Sequence, residues 1–258
     1  SIGLQPKKVF SPAVPVKISQ RNRSFFREGL YLKIFRYFCM NGIQMNKKYI
    51  LLDLDGTVID SREGITRSVR YALKHFGIEV SDLRELYCFI GPPLGDSFRM
   101  FYHFSAQEAE IAVQEYRKRY STQGVHENKV YEGIPALFKK WQSEGKQLLL
   151  CTSKPEVFAF QIVKELGLET YFTFVGGATL DGLRQEKADV IRYVLRANAI
   201  SNREEVVMIG DRKYDIEGAK QNGITAGGVL YGFGNRQELE QAGADFIAAA
   251  VEDLGKIV

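Results

Sequence analysis

The sequence is poor in the residues that build metal clusters and disulfide scaffolds. It holds three cysteines and three histidines in 258 residues. Cys39, Cys88 and Cys151 form no CxxC pair, and an odd, scattered set argues against a zinc site or a disulfide framework. That usage suits a reducing compartment, and a cytoplasmic location is expected. His75, His103 and His126 lack metal-ligand spacing and read as surface or packing residues. No apolar run approaches the roughly 20 residues of a membrane-spanning helix, so no membrane association is expected of the folded body. Internal repeats and low-complexity tracts are also missing. Acidic residues are nearly missing from one segment. Residues 1–45 carry only Glu28 against eight basic residues, a net +7. The remainder holds 27 basic and 30 acidic residues, a net −3, so the whole-chain charge of +4 describes neither part. A nucleic-acid protein shows a basic stripe on its folded body. None is present here, and no nucleic-acid partner is expected.

Residues 1–45 differ from the rest in other ways. Pro6, Pro12 and Pro15 punctuate the start. Ser24 to Phe38 then reads as a basic, aromatic, amphipathic helix with Phe26, Leu30, Ile34 and Phe38 on one stripe. An organellar presequence and a membrane-surface helix both fit this composition. The preferred reading is a disordered or non-native extension, because the fold begins directly after Met45.

From Lys48 the pattern alternates strand and helix. Tyr49–Leu54 is a short apolar run ending in aspartate, as expected of a buried parallel strand. Residues 62–130 show no comparable strand and read as helices over Gly64–Phe76, Leu94–Tyr102 and Ala106–Gln123. Further strands are expected at Lys146–Cys151, Phe172–Val175, Glu205–Ile209, Ala226–Leu230 and Ala244–Ile247, with helices between. This alternation predicts a doubly wound parallel α/β sheet with an inserted all-helical segment. The expected division is a leader over 1–45, an α/β core over 46–60 and 131–258, and the helical insert over 61–130. The family resemblance carried by the strand-end motifs would make that insert a cap over a catalytic core.

In such sheets ligands bind beyond the carboxyl ends of the strands. Asp53-Leu54-Asp55-Gly56-Thr57 follows the first strand, and Thr152-Ser153-Lys154-Pro155 the second. Gly210-Asp211-Arg212-Lys213-Tyr214-Asp215 follows the strand at 205–209, and Lys187 opens a helix between them. Packed carboxylates repel, and a hard divalent cation such as Mg2+ relieves the repulsion. A carboxylate can attack phosphorus, and a second one nearby can protonate the leaving oxygen. A lysine, a hydroxyl and backbone N–H groups can stabilise the charge on the transferring group. Taken singly, each residue has a bland reading as a turn, a helix cap or a surface lysine. Cys151 ends an apolar strand and reads as core packing. Arg184 reads equally as a surface residue or as a contact near the cap hinge.

The ordered set resembles the haloacid dehalogenase superfamily, over about residues 48–258. The resemblance implies Asp53 as nucleophile and Asp55 as general acid and base. Thr152 and Lys187 would bind the phosphoryl group. Asp53, the backbone carbonyl of Asp55, and Asp211 would hold magnesium, with Asp215 supporting that shell. Gly56, Thr57, Ser153 and Lys154 would contact substrate, and Gly91 and Pro92 would belong to a cap loop closing over it. Asp55 and Asp211 speak against the metal-free dehalogenases, and Asp55 against phosphonate hydrolases. Ile90-Gly91-Pro92-Pro93 and Leu180-Asp181-Gly182 are similar to a phosphoglycolate-phosphatase and nucleotidase branch. Ser153 departs from the asparagine that many relatives carry, and bears on hydrogen bonding near Asp53. The expected activity is hydrolysis of a small phosphorylated metabolite, phosphoglycolate or a nucleoside monophosphate, by a monomer or homodimer. A phosphosugar mutase and a non-catalytic binding protein are the alternatives.

Overall fold

The computed structural model describes residues 45–258. The amphipathic stripe expected at Ser24–Phe38 lies outside them.

The core is a six-stranded, all-parallel sheet. Its strands are β1 (Tyr49–Leu52), β4 (Gln147–Pro155), β5 (Phe172–Ala178), β6 (Val206–Gly210), β7 (Thr225–Val229) and β8 (Phe246–Ala248), in the order β5-β4-β1-β6-β7-β8. β1 lies between β4 and β6, with Leu51 opposite Leu149 on one side and Met208 on the other. Both faces of β1 are covered, so its apolar run is continuous rather than alternating. The chain moves outward from β1 through β4 to β5, then returns to β6 beside β1 and leaves the other way. The sheet order therefore reverses at β1, where crevices form in open α/β sheets.

Helices cover the sheet. One face packs α6 (Lys187–Ala197) and α7 (Lys213–Gln221) on it, and Val190, Val194, Leu195, Ile216 and Ala219 meet Leu51, Leu149 and Met208. α4 (Ile134–Ser143), α5 (Glu156–Glu165) and the terminal α9 (Val251–Ile257) complete the core layers, with α8 (Arg236–Gln241) between β7 and β8. Trp141 of α4 is fully buried and stacks on Phe138. α9 has no counterpart among the expected elements.

The segment between β1 and β4 holds α1 (Arg62–His75), α2 (Leu94–Tyr102) and α3 (Ala106–Tyr120), close to the expected spans. α3 starts with a capping box: Ser105 Oγ accepts from the Glu108 N–H while the Ser105 N–H donates to Glu108. Two features correct the sequence reading. Leu83–Phe89 forms a 3-10 helix. Residues 62–130 also do contain a strand: β3 (Lys129–Val130) pairs antiparallel with β2 (Ile59–Asp60). This ribbon clamps together the two points where the chain leaves and re-enters the core. Two residues per strand are too few to show a period of two in sequence.

Candidate active site

Asp53 continues the sheet ladder beyond β1, its N–H donating to the Ile209 carbonyl at 2.9 Å. Its carboxyl thereby projects at the carboxyl edge of the sheet. The chain then turns sharply at Gly56, which has φ +82°. A Cβ there would sit 2.2 Å from Asp211 Oδ2, so the glycine both permits the turn and makes room for the acid. Gly210 does the same for Asp215, whose carboxyl carbon would lie 2.1 Å from an added Cβ.

Asp53, Asp55, Thr152, Lys154, Lys187, Asp211 and Asp215 are all buried. Lys187 Nζ donates to Asp53 Oδ1 at 2.7 Å and to the Cys151 carbonyl at 3.1 Å, and lies 2.7 Å from Asp215 Oδ1. A lysine at the first position of a helix opposes the helix dipole, so the two carboxylates rather than α6 account for its place. Burial disfavours its charged form, but Asp215 and Asp53 outweigh that and hold the ammonium charged. Burial pushes the Asp53 carboxyl up to about 6; Lys187 opposes this, while Asp215 and Asp55 add to it. Burial also drives Asp211 well above the usual carboxylate range, reinforced by Asp215 and Asp53. The Cys151 thiol is pushed up to about 12, chiefly by burial, and sits in the core cluster. It is a packing residue, as expected.

Asp53, Asp211 and Asp215 each bring one carboxylate oxygen to within 4.8 Å of the others. The Asp55 carboxyl is outside this group. Asp211 Oδ2 accepts from the Phe233 N–H at 2.7 Å, while its fully buried Oδ1 has no hydrogen-bond partner. An orphaned buried carboxylate oxygen beside two more carboxylates fits a hard divalent cation with oxygen ligands.

A cavity of about 510 Å3 opens in front of Asp53 and Asp55. Thr152, Ser153, Lys154, Gly91 and Pro92 line it. Lys187, Asp211 and Asp215 do not line it; they gather around Asp53. Three expected contacts differ. Gly56 and Thr57 do not line the cavity, and their N–H groups are spent internally on the Ile59 and Leu54 carbonyls. The Lys154 ammonium is also engaged, donating to Asp55 Oδ1 at 2.7 Å and to the Tyr120 hydroxyl at 2.6 Å. Arg184 is a tether. Its guanidinium donates to the Gly177 carbonyl, pairs with Glu156 at 2.9 Å and lies over the Tyr193 ring. It thus pins the Thr179–Gln185 loop that borders the cavity.

Several site residues escape sequence reasoning. The loop after β7 packs on the acids: a Cβ at Gly234 would meet the Asp211 carbonyl at 1.9 Å, and Tyr231 donates to the Thr57 carbonyl. The Gly232-Phe233-Gly234 spacing after a strand was the available signal. Arg212 pairs with Glu238 at 3.0 Å and donates to the Ile90 carbonyl, which ties the Gly91-Pro92-Pro93 loop to the Asp211 loop. Arg99, Tyr116, Arg117 and Tyr120 of the helical insert and Phe158 of α5 also line the cavity. No local sequence signal marks them.

The family described as haloacid dehalogenase-like hydrolase matches residues 50–229. The chain belongs to that family, and within it the chain is a phosphatase-type enzyme. A 5'-nucleotidase of Pseudomonas aeruginosa is 45% identical over 190 residues, covering 74% of this chain and 86% of that protein. The tyrosine-protein kinase PtkA of Mycobacterium tuberculosis is 35% identical over 207 residues, covering 80% of this chain and 70% of that one. The crystal structure of a predicted phosphatase from Clostridium acetobutylicum superposes with a TM-score of 0.79 at 45% identity, covering 81% of this chain and 97% of that one. Among the described residues no helix is long and apolar enough to cross a membrane.

Proposed function

We propose that the chain is a magnesium-dependent phosphatase for phosphomonoesters of nucleoside size, working through a phosphoryl group carried on Asp53. One observation carries this reading: Asp53 and Asp55 line a single cavity, with Lys187 and two further carboxylates gathered around Asp53. A carboxylate oxygen of Asp53 attacks phosphorus, and the bond to the leaving oxygen breaks. Asp55 gives its proton to that oxygen. Thr152 meets the oxygens of the transferring group, and the Lys187 ammonium, held against Asp53, offsets the negative charge gathered there. Asp55 then takes a proton from water as the water attacks phosphorus, which releases phosphate and restores Asp53. Asp53, Asp211, Asp215 and the Asp55 carbonyl would hold magnesium, which supplies charge neutralisation for the phosphoryl dianion. Residues 61–130 act as the cap that closes over the substrate, and 46–60 with 131–258 as the core that does the chemistry.

Of the two expected substrate classes, the nucleoside monophosphate is favoured. The cavity falls in the range of drug-sized ligand sites, far above what phosphoglycolate fills. Its aromatic lining (Phe89, Tyr116, Tyr120, Phe158) offers flat apolar surfaces to a base. The name of the Pseudomonas relative points the same way. Phosphate release from nucleoside monophosphates, phosphoglycolate and p-nitrophenyl phosphate tests the reading, each with magnesium and with excess chelator. Nucleoside monophosphates should give the highest kcat/KM, and chelator should abolish turnover. Preference for phosphoglycolate would overturn the size assignment, and turnover in excess chelator the metal.

A further inference from the structure

We infer that Lys154 and Tyr120 form a positioning clamp on Asp55 that fixes which oxygen of the general acid carries the reacting proton. The inference rests on the phosphatase reading above. Lys154 Nζ donates to Asp55 Oδ1 at 2.7 Å and to the hydroxyl of Tyr120 at 2.6 Å. Lys154 and Asp55 are both buried, and the side-chain exposures of the pair are 5% and 10%. The ammonium also lies 4.9 Å from the centre of the Tyr120 ring, which stacks on Tyr116 and meets Phe158 edge-on. An ion pair in such dry, aromatic surroundings holds one geometry far more firmly than a solvated one.

The direction of the hydrogen bond decides the chemistry. An ammonium group only donates, so the oxygen facing it must accept whether Asp55 is protonated or not. The proton of the acid form therefore sits on Oδ2, the oxygen that Lys154 does not engage. Oδ2 gives that proton to the leaving oxygen, and Oδ2 recovers one from the attacking water. Without the clamp the carboxyl can rotate and carry its proton toward the protein. Lys154 is itself held in two ways. Its backbone N–H donates to Thr152 Oγ1 at 3.2 Å, so the clamp shares the end of β4 with the hydroxyl that meets the phosphoryl group. Its second partner, Tyr120, ends α3 of the helical insert. The acid is thus aligned by a residue of the core and a residue of the cap together, and a displaced cap removes half of the clamp.

The test compares leaving groups. An alkoxide, such as the ribose oxygen of a nucleoside monophosphate, needs a proton to leave, whereas a dinitrophenolate does not. kcat/KM is the proper reading, because it covers the steps through phosphoryl transfer to Asp53 and leaves out the later hydrolysis. In Lys154→Met, kcat/KM for the nucleoside ester should fall at least ~10²-fold, the scale of general acid catalysis. For 2,4-dinitrophenyl phosphate the fall should be clearly smaller, and the ratio of the two losses carries the reading. Tyr120→Phe removes one oxygen, keeps the ring, and should move the ratio the same way by less. Thermal melting reports whether each variant is folded, and Tyr120→Phe carries the test if Lys154→Met is not. Equal losses on both esters, or no loss on either, would overturn the clamp while leaving the phosphatase reading in place. If the unaltered protein turns over neither ester, the phosphatase reading itself fails, and the clamp with it.

Discussion

Three carboxylates share one buried site in this protein, and the cost of that crowding is measurable at single residues. Burial pushes the Asp53 carboxyl up to about 6 and drives Asp211 well above the usual carboxylate range, and the charges of neighbouring acids add to both rises. A raised carboxylate binds its proton more tightly folded than unfolded. Its contribution is therefore fully present below about pH 4, the unfolded value, and is lost as pH rises through 6. Surface acids such as Glu127, lowered by Arg119, work in the opposite sense, so the whole-protein curve mixes both. The difference between the unaltered protein and Asp53→Asn isolates the site. In excess chelator, the variant should gain stability relative to the unaltered chain between pH 4 and 6.5, by up to ~3 kcal/mol for a two-unit shift. Lys187 stays charged across that window, and its attraction for ionised Asp53 is already contained in the Asp53 shift. Magnesium should raise the melting temperature of the unaltered chain and do little for the variant. A flat difference across the window would contradict the crowding described here.

At the scale of elements, the turn after β1 is constrained both by its backbone conformation and by the acid packed against it. Gly56 and Gly77 both have positive φ, +82° and +72°. A Cβ at Gly77 meets nothing within 4 Å, whereas one at Gly56 meets Asp211 Oδ2 at 2.2 Å. Gly77→Ala should cost only the conformational penalty, ~1–2 kcal/mol in urea unfolding. Gly56→Ala should cost more and should also abolish turnover, because Asp211 must move. Equal costs with full activity would show that the turn does not shape the metal site. Element order was legible in sequence because buried parallel strands are continuous apolar runs, and Asp53 and Asp211 stood out by following them, whereas Thr152, expected just after a strand, lies inside β4. The β2–β3 ribbon and the Leu83–Phe89 turn were not legible, because each is too short for a period and depends on tertiary pairing. The same holds within the site. Lys154 was visible as a residue, but its partner Tyr120 lies 34 positions away and is brought close only by the fold.

At the scale of the whole molecule, every proposed chemical group follows Met45. Met45 itself is tied to the terminal helix, its N–H donating to the Ile257 carbonyl at 2.8 Å. A chain beginning at Met45 should therefore stay soluble and keep its kcat/KM, measured beside the full chain. Loss of either would assign residues 1–44 a part in the fold or the site.

The central claim is that phosphate passes through Asp53, and the direct measurement is to find it there. Asp55→Asn leaves the nucleophile in place but removes the base that activates water. With magnesium and an activated ester such as 2,4-dinitrophenyl phosphate, the variant should still release the phenol once. Acid-quenched on the millisecond-to-second scale and digested, it should yield a phosphoryl adduct by mass spectrometry on the peptide containing Asp53. Asp53→Asn should show neither adduct nor release. Phenol release with no adduct, or an adduct on any other residue, would contradict the account.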